Sequence, residues 1–313
     1  MRIHFINVGY GEAILLIKDN FVILVDGGTN RPNEYLAPGT IRVEDYIKKL
    51  GYDKIDLLII THLHDDHVSG LVNIIESLQV KKIWINVKPL KSTSDIVKRF
   101  SPVVAGNESG MLFINALSSY AKILDQCCKK NIPIEQIGKV NGKIKLEHDI
   151  VMDILSPTVS VQNEISNLFC ELREEQDLKK AECLFYKLDS LGNSSSLAFR
   201  VESGEVSALL TGDQTQGWDE LYSEYGNSLE SKILKVTHHG QIDGMPQAML
   251  DISNPEYIVI CSSADRRFNS AHPSVIERAQ EHLLYNHKKG GIYVTGLDGT
   301  IIFPPVLTPL KSL

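Results

Sequence analysis

The 313-residue chain is 43% hydrophobic and 23% charged, the balance of an ordinary soluble globular protein, and is long enough for one large domain or two small ones. Its formal net charge of −7 argues against wrapping long nucleic acid, and no apolar run approaches the ~20 residues that a membrane span needs. The five cysteines (Cys127, Cys128, Cys170, Cys183 and Cys261) are odd in number and form no C-x-x-C pair. That predicts neither a disulfide framework nor a cysteine zinc site, and with no signal-like N-terminus the expected compartment is the cytoplasm.

In chain order, residues 2–8, 12–18 and 21–25 predict three short strands, separated by turn residues such as Gly9-Tyr10-Gly11 and Asp19-Asn20. An amphipathic helix is expected over 41–50, ended by Gly51. A buried strand at 55–60, a helix near 69–78 and a strand at 82–87 follow. Residues 90–190 fit this alternation least well. They hold an amphipathic helix at 114–130 and a charged stretch of helical composition at 164–188, and are expected to form a partly helical insertion or lid. The Cys127-Cys128 pair is expected to pack in a helix. Further strands are predicted near 150–155, 197–201, 206–210, 233–236, 257–261, 292–294 and 300–303, with helices at 218–225 and 273–284. Two β-rich halves, each with helices, predict a single α/β domain over 1–313: two packed sheets covered outside by helices, a four-layer sandwich.

The chemistry concentrates just beyond the 55–60 strand, in Thr61-His62-Leu63-His64-Asp65-Asp66-His67. Neutral imidazoles and carboxylates at this density suit zinc, manganese or iron, and one or two ions can share such a cluster. Other strand ends deliver similar groups: Asp26 after Ile23-Leu24-Val25, Asp213 after Ala208-Leu209-Leu210, and His238-His239 after Ile233-Leu234-Lys235-Val236. Each alone has a plainer explanation as a turn residue. The constellation predicts a metal site.

This order of motifs resembles the metallo-β-lactamase superfamily over residues 1–87 and about 190–303. The resemblance implies the αββα form of the sandwich. It implies a first ion on His62 and His64, a second on Asp66, His67 and His238, and Asp213 bridging them. His239 is the neighbouring alternative to His238, and Asp26 is implied to orient a ligating imidazole from behind. Within the superfamily the details are similar to the soluble hydrolase domain of ComEC-type competence proteins and to phosphorylcholine esterases. The family's V-G-Q-G-D-A stands here as Val8-Gly9-Tyr10-Gly11-Glu12-Ala13, its N-x-S as Asn193-Ser194-Ser195, and its H-H-G as His238-His239-Gly240. Its late asparagine and His-Pro segment matches Asn269 and His272-Pro273. The departures at Tyr10 and Glu12 are expected to reshape the pocket edge. Where many members place a third histidine on the first ion, this chain offers Asn193 and serines, which leaves that site open.

The implied activity is metal-dependent hydrolysis, first of all as a phosphodiesterase or nuclease. The expected substrate is a nucleotide, a short nucleic acid or a phosphodiester headgroup, with zinc or manganese as cofactor. Asp66, Asn193 and His272 are the expected catalytic residues. Ser195 and Asn269 are further donors, and Arg200, Lys235, Arg266 or Arg267 are candidates for a basic approach. Hydrolysis of a lactone, thioester or amide is the alternative, followed by a metal-binding regulatory protein with little turnover. Because redox di-iron members usually carry Glu where His64 stands, oxygen or nitric oxide reduction is not expected.

Overall fold

The computed structural model describes residues 1–90 and 93–304. β1 (Arg2–Phe5), β2 (Ile14–Lys18) and β3 (Phe21–Val25) form an antiparallel meander, followed by α1 (Val43–Lys49), β4 (Lys54–Ile55) and β5 (Leu57–Ile60). Next come α2 (Asp65–Val68), α3 (Leu71–Ser77), β6 (Gln79–Val80) and β7 (Ile83–Ile85), then α4 (Thr93–Phe100), α5 (Glu108–Lys130) and β8 (Ile134–Gln136). The second half runs through β9 (Lys143–Lys145), β10 (Val151–Ser156), α6 (Val159–Glu174), α7 (Leu178–Ser190), β11 (Ala198–Ser203) and β12 (Val206–Leu210). Strands and helices then alternate: α8 (Trp218–Tyr225), β13 (Ile233–Lys235), α9 (Gln247–Ser253), β14 (Tyr257–Ile260), α10 (Pro273–Tyr285), β15 (Ile292–Val294), α11 (Thr295–Asp298) and β16 (Ile301–Phe303).

Two seven-stranded sheets result, in the orders β16-β1-β2-β3-β5-β7-β8 and β15-β14-β13-β12-β11-β10-β9. Their strands are apolar on both faces because both faces are covered. In β5, Leu57 and Ile59 point into the core between the sheets, whereas Leu58 and Ile60 point under the helices. Likewise Ala208 and Leu210 of β12 face the first sheet, while Leu209 packs beneath the helices of the second. This two-residue period on both sheets makes the αββα sandwich. The last strand crosses back to the first sheet, with Phe303 opposite Ile3.

Residues 90–190 are not a body apart, which corrects their expected role as an insertion. β8 pairs in parallel with β7, and β9 and β10 extend the second sheet. α5 is a cover helix of the first sheet, burying Phe113, Leu117, Tyr120 and Ile123 in its core. The three-residue β8 and β9 are too short to show a period, so the sequence concealed them. Only α6 and α7 form an added helical pair. Asp177 separates them by accepting the Lys179 and Lys180 amides as an N-cap. On α5, Cys127 is buried and Cys128 exposed, as a turn of about 100° per residue requires. Among the described residues no helix is long and apolar enough to cross a membrane.

Candidate metal centre and active site

In the first sheet β3, β5 and β7 run parallel, and in the second β12, β13 and β14 do the same. Their carboxyl ends lie at one edge of the sandwich, the position where open α/β sheets collect functional loops. Asp26 follows β3, the histidine motif follows β5, Asp213 follows β12 and the His238-His239 pair follows β13. Tight packing holds the motif against the loop that follows β1. The Glu12 amide donates to the Asp66 carbonyl at 3.0 Å, and the Gly27 amide to the His67 carbonyl at 2.8 Å. Gly11, at φ +137°, lies so close that a β-carbon there would meet the Asp66 carbonyl oxygen at 2.5 Å.

The carboxylate of Asp213 lies at the centre of the cluster. Its Oδ2 is 3.3 Å from His67 Nε2, 3.3 Å from His239 Nε2 and 4.0 Å from His62 Nε2. Asp66 Oδ2 is 3.0 Å from His239 Nε2 and 4.0 Å from His67 Nε2. The opposite ring nitrogens are engaged elsewhere. His67 Nδ1 meets Asp26 Oδ2 at 2.7 Å, His239 Nδ1 donates to the Cys261 carbonyl at 2.9 Å, and His62 Nδ1 lies 3.1 Å from both the Thr61 and Ser196 hydroxyls. With Nδ1 so held, each Nε2 faces the shared centre, the orientation that second partners impose on metal-binding imidazoles. Asp26 is itself fixed, accepting the Thr61 amide at 2.8 Å and the Thr61 hydroxyl at 2.6 Å.

The expected role of His238 in the cluster is corrected to His239. Both residues are left-handed, at φ 49° and 52°, so the chain bends sharply between them and sends one ring inward and the other to the wall. His239 is fully buried. His238 instead places Nδ1 3.0 Å from Asp243 Oδ1 and Nε2 3.1 Å from Asn193 Nδ2. Although it stands beside His62, with ring centroids 4.6 Å apart, His64 directs Nε2 away to the Asp189 carbonyl at 3.1 Å. His272 is corrected as well. Its Nδ1 accepts the Ser274 amide at 3.2 Å and caps α10, and the residue does not line the cavity. His272→Ala is expected to cost about 0.5–2 kcal/mol of stability in urea unfolding while leaving hydrolysis unchanged.

Glu12 lies beneath the site rather than at the pocket edge, and Lys235 belongs to no basic groove. Both are fully buried and pair with each other, and Lys235 Nζ also donates to the Gly212 carbonyl at 2.7 Å and lies 3.5 Å from Asp213 Oδ1. The position of Lys235 between Leu234 and Val236 was the signal for such a pair, since a lone charge in a buried strand needs a partner. Two of the candidate arginines are also engaged. Arg200 lies 2.6 Å from Glu202 Oε2, and Arg267 is bound to Asp265 and Glu34. Arg266 is exposed and, like Ser195, is absent from the cavity lining; Ser195 instead accepts from the Asn86 side chain.

Above the cluster opens a cavity of about 600 Å³. Asp66, Asp213, Asn193, His238 and Asn269 line it together with Tyr10 and Phe268, whose rings lie 4.8 Å apart. The sequence offered no signal for Arg31, Glu108 and Asp189, which come from a loop and two helix ends and meet only in the fold.

Electrostatics fit a cation here. Glu12, Asp26, Asp66 and Asp213 crowd one region, with Lys235 the only lysine in contact among the described residues. Burial would lower His67 and His239, but Asp213 beside each outweighs it, holding His67 well above the usual imidazole range and His239 up at about 9. Burial pushes His62 well below that range, seconded by His67 and His64. Its Nε2 is buried with no hydrogen-bond partner among the described residues, a costly state for an acceptor unless a cation meets it. Excess buried carboxylate, inward-facing imidazole nitrogens that a cation would deprotonate and this orphan atom together suit a divalent ion of the zinc or manganese type. Asp26→Asn is expected to weaken zinc binding about 10- to 100-fold, measured by titration calorimetry.

Comparison with known proteins agrees with this fold. Residues 6–107 match the metallo-beta-lactamase superfamily. ComE operon protein 3 of Bacillus subtilis (strain 168) is 21% identical over 267 residues, which cover 83% of this chain and 27% of that protein. Competence protein ComA of Neisseria gonorrhoeae is 32% identical over 91 residues, 29% of this chain and 13% of that one. The chain thus spans about a quarter or less of the length of these curated relatives. Among solved structures, a mutant CmlA beta-hydroxylase superposes with a TM-score of 0.50 at 11% identity, covering 96% of this chain and 53% of its own, a likeness of fold alone. The match over residues 6–107, with which the motif order and the two-sheet topology agree, assigns that part of the chain to a metallo-β-lactamase superfamily domain.

Proposed function

We propose that the chain is a metal-dependent hydrolase of a small phosphodiester, of nucleotide or headgroup size. In this reading His62, His64, Asp66, His67, Asp213 and His239 hold one or two divalent ions, zinc or manganese. The observation that carries it is the convergence of three imidazole Nε2 atoms on Asp213 Oδ2, each with its other nitrogen tied down. Divalent ions held by these residues would lower the pKa of bound water from 15.7 toward about 7 and would neutralise charge on substrate oxygens. Of the two cluster carboxylates that line the cavity, Asp66 is the more exposed, and its side chain is placed to accept a proton from the attacking water. Asn193 Nδ2 and His238 Nε2, on the wall, are placed to orient the substrate.

Cavity volume and charge favour a small substrate. About 600 Å³ suits a compact ligand. Five lining carboxylates (Asp65, Asp66, Glu108, Asp189 and Asp213) face one guanidinium, Arg31, and two divalent ions would bring that formal balance to zero. A singly charged phosphodiester fits such a pocket, and among the described residues no lining lysine offers a basic track for a long nucleic acid. The wall of Leu112, Phe113, Phe268 and Tyr10 supports a second reading, hydrolysis of an apolar carbonyl ester or lactone.

Metal-stripped protein reconstituted with zinc or manganese separates the two on bis(p-nitrophenyl) phosphate and p-nitrophenyl acetate. The expected result is metal-dependent phosphodiester cleavage that is lost in Asp66→Ala. Cleavage of the acetate alone would move the assignment to the carbonyl reading. Ion binding with neither reaction would overturn both.

A further inference from the structure

We infer that Asp189, at the end of α7, is the positioning residue for His64, so that the added helical pair completes the first ion site. The inference rests on the metal-dependent reading above. The other three imidazoles of the cluster have a partner within the sandwich that sets their direction: Ser196 and Thr61 behind His62, Asp26 behind His67, and Cys261 behind His239. Among the described residues, no partner from the sheets does this for His64. Its Nε2 donates to the Asp189 backbone carbonyl at 3.1 Å, a partner any residue there would keep, and lies 3.4 Å from Asp189 Oδ1, the charged partner that only this side chain supplies. With Nε2 used as the donor, Nδ1 carries the lone pair, and Nδ1 is the only nitrogen His64 can offer to an ion.

Asp189 is braced for this work. Its Oδ2 accepts from the Ser109 hydroxyl at 3.3 Å, so the start of α5 and the end of α7 grip one carboxylate between them. The Phe113 ring meets the His64 ring edge-on at 6.3 Å, and Gly192 leaves space for the imidazole where any β-carbon would strike Nε2. The buried, unpartnered Nε2 of His62, on a ring 4.6 Å from that of His64, points to the ligand that both imidazoles would share. Asp189 lies one residue from the C-terminus of α7, where a negative charge opposes the helix dipole. Helix stability therefore does not account for it, and alanine there is expected to preserve the fold.

The test is zinc titration calorimetry on the metal-stripped full chain, with Asp189→Ala, His64→Ala and the double variant. Asp189→Ala, which removes the carboxylate but keeps the carbonyl, is expected to weaken one zinc affinity about 10-fold, to leave any other unchanged, and to add nothing in the His64→Ala background. Asp189→Glu is expected to recover part of the loss. Unchanged zinc binding in Asp189→Ala, or an equal loss with and without His64, would overturn the inference while leaving the metal-dependent reading intact. A wild-type chain that binds neither zinc nor manganese would overturn that reading itself.

Discussion

Replacing Asp213 by asparagine is expected to lower metal-dependent hydrolysis about 10³-fold or more in kcat/KM, the largest loss of any single change in the site. Asp213 Oδ2 is the atom on which His62, His67 and His239 converge, and no other carboxylate among the described residues has three imidazoles around it. Charge stabilisation by metal ions amounts to several kcal/mol, and each 1.4 kcal/mol is about tenfold in rate. Asparagine keeps the shape but gives up the negative charge that attracts the ions. Calorimetry should show the loss as a fall in zinc affinity, with circular dichroism unchanged. The backbone should hold, because the Asp213 amide still donates to the Ser196 hydroxyl at 3.1 Å. Wild-type kcat/KM and zinc affinity in Asp213→Asn would remove the basis for the proposed function.

Lys235→Met is expected to be the most destabilising substitution outside the ligand cluster, by about 3–5 kcal/mol in urea unfolding of the metal-free chain. Lys235 and Glu12 are both at 0% exposure and pair across the two sheets. Methionine fills the space of the lysine stem but leaves the Glu12 carboxylate buried without a counter-charge. Burial already raises Glu12 above the usual carboxylate range, and Lys235 is the foremost group that opposes that rise. The double variant Glu12→Gln/Lys235→Met is expected to recover most of the loss, because it removes both charges at once. A double variant no more stable than Lys235→Met would show that the lysine acts through the Gly212 carbonyl and Asp213 instead of through Glu12.

The outcomes at individual residues show which kinds of information a sequence carries. Strands such as β3, β12 and β15 were legible to the residue because each is a mostly apolar run bounded by turn formers. The H-x-H-x-D-H run marked the centre of the site because four positions of scarce residue type lie side by side in the chain. The choice between His238 and His239 was not legible. It depends on two successive left-handed residues, and spacing along the chain does not reveal which of two adjacent rings a bend turns inward. His272 followed the family's order yet serves as a cap, because a His-Pro pair ahead of a helix satisfies the local backbone regardless of any site nearby.

Local sequence thus determined the sandwich, the strand ends and the metal-binding character of the chain, since each depends on periodicity or on residues close together in the chain. Tertiary structure alone decided what surrounds them. Lys235 on β13 meets Glu12 from the opposite sheet, His64 meets Asp189 across 125 positions, and the cavity draws its wall from α5, α7 and the loop after β14. These pairings arise from the packing of one sheet on the other and of α7 against the motif. No period or spacing in the chain encodes a distance between segments that meet only when both layers are in place.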